Sequence, residues 1–130
     1  MKKLLIPALL IILASSCKKD DSTPAPVPDF SGPSGTVRIF SPELEQPISR
    51  INAHLEWSPI PKTTLYSVLV WYYNSIGNTI TVVNAKYPKS PAIVTFGDSL
   101  IGKKVYWTIM PLNDNGSGVI SPTSSFYVTK

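Results

Sequence analysis

Residues 66–73, Tyr66-Ser67-Val68-Leu69-Val70-Trp71-Tyr72-Tyr73, decide the fold. Tyr66, Val68 and Val70 alternate with other residues. A period of two belongs to a β-strand, whose successive side chains point to opposite faces. The same period lies on either side of this run. Leu55 and Trp57 flank Glu56 upstream, and downstream Val105, Trp107 and Ile109, then Phe126 and Val128, repeat it. Alternation therefore sends Leu55, Trp57, Tyr66, Val68, Val70, Trp107, Ile109, Phe126 and Val128 to the core. Turn-formers separate the runs: Ser58-Pro59-Ile60-Pro61, Gly77-Asn78, Pro88-Lys89-Ser90-Pro91, Gly102 and Asn113-Asp114-Asn115-Gly116. No window offers three turns of amphipathic helix, and there is no internal repeat. Short strands separated by turn signals predict an all-β antiparallel sandwich or barrel.

The same alternation has a second consequence. With Tyr66, Val68 and Val70 inward, Leu69, Trp71 and Tyr73 face out; with Trp107 and Ile109 inward, Tyr106, Thr108 and Met110 face out. Tyr127 joins them from the last run. Leu69, Trp71, Tyr73, Tyr106, Met110 and Tyr127 are thus the candidate binding face, because a large exposed apolar patch usually marks an interaction site. Aromatic rings stack on sugar faces or anchor protein interfaces.

The order Leu55-x-Trp57, Tyr66-x-Val68-x-Val70, Gly102, Tyr106-Trp107-Thr108-Ile109, Asn113-x-x-Gly116 and Ser125-Phe126-Tyr127-Val128 resembles a fibronectin type III domain of the divergent bacterial kind. The resemblance covers residues 37–130. It implies a single fibronectin type III or immunoglobulin-like antiparallel sandwich, with Trp57 as the core tryptophan of the second strand packed against Tyr66 of the third. Val105 stands where that family usually has the tyrosine opening the sixth strand, and neighbouring Tyr106 is the candidate substitute. An immunoglobulin-like sandwich of different strand order is the near alternative.

The inventory argues against catalysis and metal binding. His54 is the single histidine and Cys17 the single cysteine. The domain therefore has no thiol nucleophile, no disulfide and no cysteine pair for a metal. Its acids are Glu43, Glu45, Glu56, Asp98 and Asp114, and glycoside hydrolysis needs two carboxylates facing one another across a sugar. Glu43 and Glu45, between Pro42 and Pro47, read as a solvated edge. Asn113-Asp114-Asn115-Gly116 carries oxygen ligands, but a calcium loop also needs a bidentate glutamate downstream; a turn accounts for these residues. The eight basic residues from Arg38 onward are scattered, and only Lys103 and Lys104 are adjacent. That is solubility charge, not the basic stripe of a nucleic-acid surface. The expectation is a non-enzyme with no cofactor, no metal and no nucleic-acid partner.

The N-terminal stretch supplies an address. Lys2 and Lys3 precede an apolar run, Leu4 to Leu13, which is too short to span a membrane and is interrupted by Pro7. Ala14, Ser15 and Ser16 lead into Cys17, the order of a secretory signal and its small-residue cleavage site. A lone cysteine at that place resembles a bacterial lipoprotein signal. Lys18-Lys19-Asp20-Asp21 is similar to the start of mature Bacteroidota lipoproteins exported to the cell surface. The resemblance implies lipidation at Cys17 with several acyl chains, palmitate among them, giving permanent attachment where one chain would bind only marginally. Residues 22–35 alternate Pro24, Pro26 and Pro28 and read as a semi-rigid stalk, which at about 3.1 Å per residue reaches some 40–50 Å.

The organisation expected is a lipoprotein signal peptide over residues 1–16, a lipidated cysteine and Pro/Ser/Gly-rich tether over 17–36, and the sandwich over 37–130. The function expected is a non-catalytic, outer-membrane, cell-surface binding or adhesion module that captures polysaccharide on its aromatic face. The alternatives are a protein partner or outer-membrane complex docked on that face, a ligand-free spacer, and display towards the periplasm.

Overall fold

The computed structural model describes residues 24–27 and 31–130. The expected signal peptide, Cys17 and the charged segment after it lie outside the described residues.

Among the described residues, nine strands make two sheets. They are β1 (Ile39–Ser41), β2 (Gln46–Ser49), β3 (Ala53–Trp57), β4 (Leu65–Tyr73), β5 (Thr79–Tyr87), β6 (Ala92–Val94), β7 (Lys104–Asn113), β8 (Gly116–Ser117) and β9 (Ser124–Thr129). The smaller sheet has the order β1-β3-β6; the larger runs β2-β9-β7-β4-β5, with β8 closing a hairpin on β7. A 3-10 turn, Asp98–Leu100, is the helical element among the described residues. The fold class is the expected one: an all-β antiparallel sandwich of two sheets. One edge departs from simple antiparallel order, since β2 pairs with β9 in parallel, Ile48 beside Val128.

The core forms where the two inner faces meet. Leu55 and Trp57 of β3, Val68 and Val70 of β4, Trp107 and Ile109 of β7, and Phe126 and Val128 of β9 are almost wholly buried, and Tyr66 is buried with them. Val37, Phe96, Leu100 and Val105 complete the cluster. Trp57 meets Tyr66 edge to face at 5.3 Å. Tyr66 also orders the turn before its own strand, because its hydroxyl accepts the buried N–H of Ile60 at 2.8 Å. Tyr106, expected to stand in for a corner tyrosine, instead lies on the outer face with Trp71 and Tyr73.

β5 is one edge of the larger sheet, and its register against β4 slips by one residue. Val70 pairs with Val83, but Trp71 pairs with Thr81, so Val82 is the extra residue of a bulge. A bulge resets alternation beyond it. Both Val82 and Val83 consequently pack towards the core, and Thr81 and Thr79 are returned to the outer face beside Trp71 and Tyr73. An exposed edge otherwise invites pairing with another chain, and a bulge disrupts the flat template that such pairing needs.

The segment before Val37 is already part of the packed unit. Pro33 is buried, and Thr36 bridges Val119 in parallel. Asn113 ties the segment down: its side-chain amide donates to the carbonyls of Ser31 (3.2 Å) and Lys62 (2.9 Å), and its carbonyl oxygen accepts from the Asn115 N–H at 2.9 Å. The Lys62 ammonium donates to the Ser31 hydroxyl at 2.7 Å. Residues 31–36 therefore rest on the sandwich just ahead of Val37. Gly118 permits this approach. A Cβ there would stand 2.8 Å from Pro111 Cγ and 3.0 Å from both Cβ and the carbonyl oxygen of Pro33. Gly118→Ala is expected to cost about 1–3 kcal/mol, the range for overpacking, and to open residues 31–36 to protease. Urea melts together with limited proteolysis check this; an unchanged midpoint and cleavage pattern would contradict the packing argument.

Candidate functional site: the outer aromatic face

On the outer face of the larger sheet, Trp71 of β4 lies directly opposite Tyr106 of β7. Cross-strand neighbours of this kind are close enough for ring contact. The two rings sit 6.1 Å apart at an interplanar angle of 22°. Tyr73 meets Tyr106 at 5.2 Å and 70°, edge to face, and is 51% exposed. These three rings form one continuous ledge near the end of the sheet where β4 turns into β5.

Tyr127, 39% exposed, joins through a cation. Lys104 pairs with Tyr127 across β7 and β9, and its ammonium lies 5.7 Å from the Tyr106 ring centroid and 5.8 Å from that of Tyr127. Such positions over an aromatic face are attractive, by about 0.5–1 kcal/mol at exposed sites. Glu45 forms an ion pair with Lys104. That hydrogen bond is the first cause of a raised Lys104 pKa, so the ammonium stays charged throughout the neutral range and loses its proton only above the ordinary lysine range. Lys103, one residue earlier, turns the other way and sits 4.5 Å over the Tyr72 ring.

Leu69 and Met110 are half-buried on the same face but further along the strands, opposite Thr108 and Ser67 respectively. Six candidate residues therefore share a face, and three of them touch as a group. Thr108, also expected to face out, is only 6% exposed, so it floors the patch without forming part of its surface.

Polar groups border the rings. Register and the bulge put Thr79, Thr81, Asn84 and Lys86 on this face along β5. An open depression of about 420 Å³ lies beside the ledge, lined by Tyr73, Asn74, Ser75, Lys103, Lys104 and Tyr106. The loop that supplies Asn74 is rigidly made. The Asn74 side-chain oxygen accepts the N–H groups of Ile76 (3.1 Å) and Asn78 (2.8 Å), and Gly77 takes φ +83°, a conformation that glycine adopts without strain. Sequence reasoning missed Lys104, Glu45 and the β5 row. Counting back two residues from Tyr106 would have found Lys104; the bulge left no comparable signal.

Groups considered for chemistry do not converge. His54 is exposed on the outer face of β3, paired with Ile93 of β6. Glu45 is held by Lys104, and Asn113 and Asn115 form a side-chain-capped turn. Among the described residues, no group of three or more His, Cys, Asp or Glu side chains could hold a metal ion.

No family model matches the chain, and no curated protein matches it. Among solved structures it is similar to one described as the crystal structure of a Fn3-like protein from Clostridium thermocellum. The two share 18% sequence identity over 77% of this chain and 94% of that one, with a TM-score of 0.46.

Proposed function

We propose that the chain is a non-catalytic binding module, tethered by acylated Cys17 to the outer membrane and displayed at the cell surface, that captures polysaccharide on its outer aromatic face. The observation that carries this reading is the near-parallel pair Trp71 and Tyr106, extended by Tyr73 and bordered by hydrogen-bonding side chains. A sugar ring has an apolar C–H face and a polar rim. The ledge matches the first, and Asn74, Ser75, Lys104 and the β5 threonines match the second. A protein-docking face differs in kind, with a flat apolar centre and polar groups only at its edge. Here Lys104 sits between the rings of Tyr106 and Tyr127, which favours a polar, hydroxyl-rich ligand.

The test is a panel of bacterial, plant and host polysaccharides presented to the soluble fragment 22–130. Retention on one or a few neutral or acidic glycans, competed by the same glycan in solution, is the expected result. A folded fragment that binds none of them sinks the glycan reading and turns the search to outer-membrane proteins captured on the same face.

A further inference from the structure

The rings of the outer face are set in a line that crosses the strands. Thr81 of β5 is directly opposite Trp71 of β4, which is directly opposite Tyr106 of β7. At the next outward position, Thr79 pairs with Tyr73 on one side, and Lys104 pairs with Tyr127 of β9 on the other. Ring surface thus extends over β4, β7 and β9, which are neighbours in the sheet. Along the strands it stops at once. In the other direction from Trp71 the next outward residue is Leu69, half-buried and opposite the buried Thr108, and beyond it Ser67 lies opposite Met110. A ligand that uses the rings together must lie across the strands.

The spacing of that line selects a kind of polymer. Neighbouring strands are about 4.8 Å apart, close to the advance per sugar of an extended β-1,4-linked chain. Laid across the sheet, such a chain brings one sugar over each strand in turn. A coiled glycan, such as an α-1,4-linked one, does not keep that step.

The charges on the line select further. The Lys104 ammonium lies 5.7 Å from the Tyr106 ring centroid and 5.8 Å from that of Tyr127, and Glu45 forms an ion pair with it. The middle of the line is therefore a compensated pair, able to donate to hydroxyl groups and to accept from them. An acidic sugar there would meet the Glu45 carboxylate, and like charges brought together oppose binding. The other lysines near this face are placed elsewhere. Lys103 holds its ammonium 4.5 Å over the Tyr72 ring, and Lys86 pairs with Ser67, four residues down β4 from Trp71.

Building on the polysaccharide reading above, we propose that the outer face binds an uncharged, extended β-1,4-linked glycan laid across β4, β7 and β9, its sugars meeting Trp71, Tyr106 and Tyr127 in turn.

The experiment is calorimetric titration of the full chain, in micelles of a detergent without a sugar headgroup, with β-1,4-linked dimers and tetramers of glucose and of mannose. The tetramer of at least one series should bind about tenfold more tightly than its dimer, because only the longer chain reaches from Trp71 to Tyr127. Tyr127→Ala should weaken that tetramer about fivefold, as loss of one exposed aromatic contact does. The same tetramer oxidised to a carboxylate at each C6 should bind at least tenfold more weakly than the neutral one. The comparisons of length and charge use the unaltered protein, so they stand whatever the variant's melting curve shows. A dimer as tight as its tetramer, an oxidised tetramer as tight as the neutral one, or a greater loss from Met110→Ala than from Tyr127→Ala each overturns the proposal. If neither series binds while another polysaccharide is retained, and Trp71→Ala abolishes that retention, the proposal falls and the polysaccharide reading stands. If no polysaccharide is retained, both fall.

Discussion

Trp107→Ala is expected to remove about 3–5 kcal/mol of stability, the range for deleting a large aromatic side chain from a core. Folded domains typically have only about 5–15 kcal/mol to lose. Trp107 is 0% exposed and lies midway along β7, between Val70 of β4 and Ser124 of β9. Its backbone is paired with strands on both sides, and its side chain belongs to the buried cluster that both sheets supply. No neighbouring side chain can close the space, because those neighbours are themselves fixed in the two ladders. Trp107→Phe is a milder change. It keeps a ring in place and removes an indole N–H that has no partner, so its cost should fall to about 1–2 kcal/mol. Urea unfolding of the two variants measures both quantities. A loss below about 1 kcal/mol for the alanine variant would mean that the two sheets do not meet at this residue.

Trp71→Ala should behave in the opposite way, with little effect on folding and a large one on binding. Trp71 is the next residue along β4 from core Val70, but it points outward and is only half-buried. Its removal exposes one side of Tyr106 and costs about 1 kcal/mol of stability. Polysaccharide retention should nevertheless fall at least thirtyfold, as roughly 2 kcal/mol lost at a central aromatic contact implies. Tyr73 cannot take its place, since its ring stands edge-on to Tyr106 at 70°. Affinity electrophoresis in a gel containing the bound glycan compares the variants, with the melting curve run beside it. Retention that survives in a folded Trp71→Ala protein would move the ligand off this face.

Alternation made the inner faces of β3, β4, β7 and β9 readable, because a two-residue period in a half-buried strand leaves little choice of which side faces in. Leu55, Trp57, Val68, Trp107 and Phe126 stand out for that reason alone. The outer ledge followed from the same rule. What escaped reading depends on contacts between distant segments. Gln46–Ser49 has no alternation of its own and becomes a strand only by lying along β9. The extra residue Val82 shows no sign in a run as uniformly β-forming as Thr79–Tyr87, yet it decides whether threonine or valine borders Trp71. Gly118 and Pro33 look like ordinary loop residues, and their contact appears only once the chain is folded. That the buried indole nitrogen of Trp57 has no hydrogen-bond partner among the described residues is equally invisible in sequence, since burial is legible from the pattern but hydrogen-bond satisfaction is not.

The docking of residues 31–36 also sets which way up the domain is held. Ser31 enters beside Lys62 and Asn113, at the end of the sheet where Leu65 pairs with Leu112. Tyr73 is at the far end of β4, a nine-residue strand that spans about 30 Å at its usual rise. A pull on the N-terminal side therefore acts on the foot of the sandwich, while the rings stand at its crown. Load passes through the Asn113 clasp and along the strands, not across the ledge. Under the surface display proposed above, the shafts in a crowded coat of neighbouring molecules would be shouldered together while the crowns stayed in reach of whatever passes above.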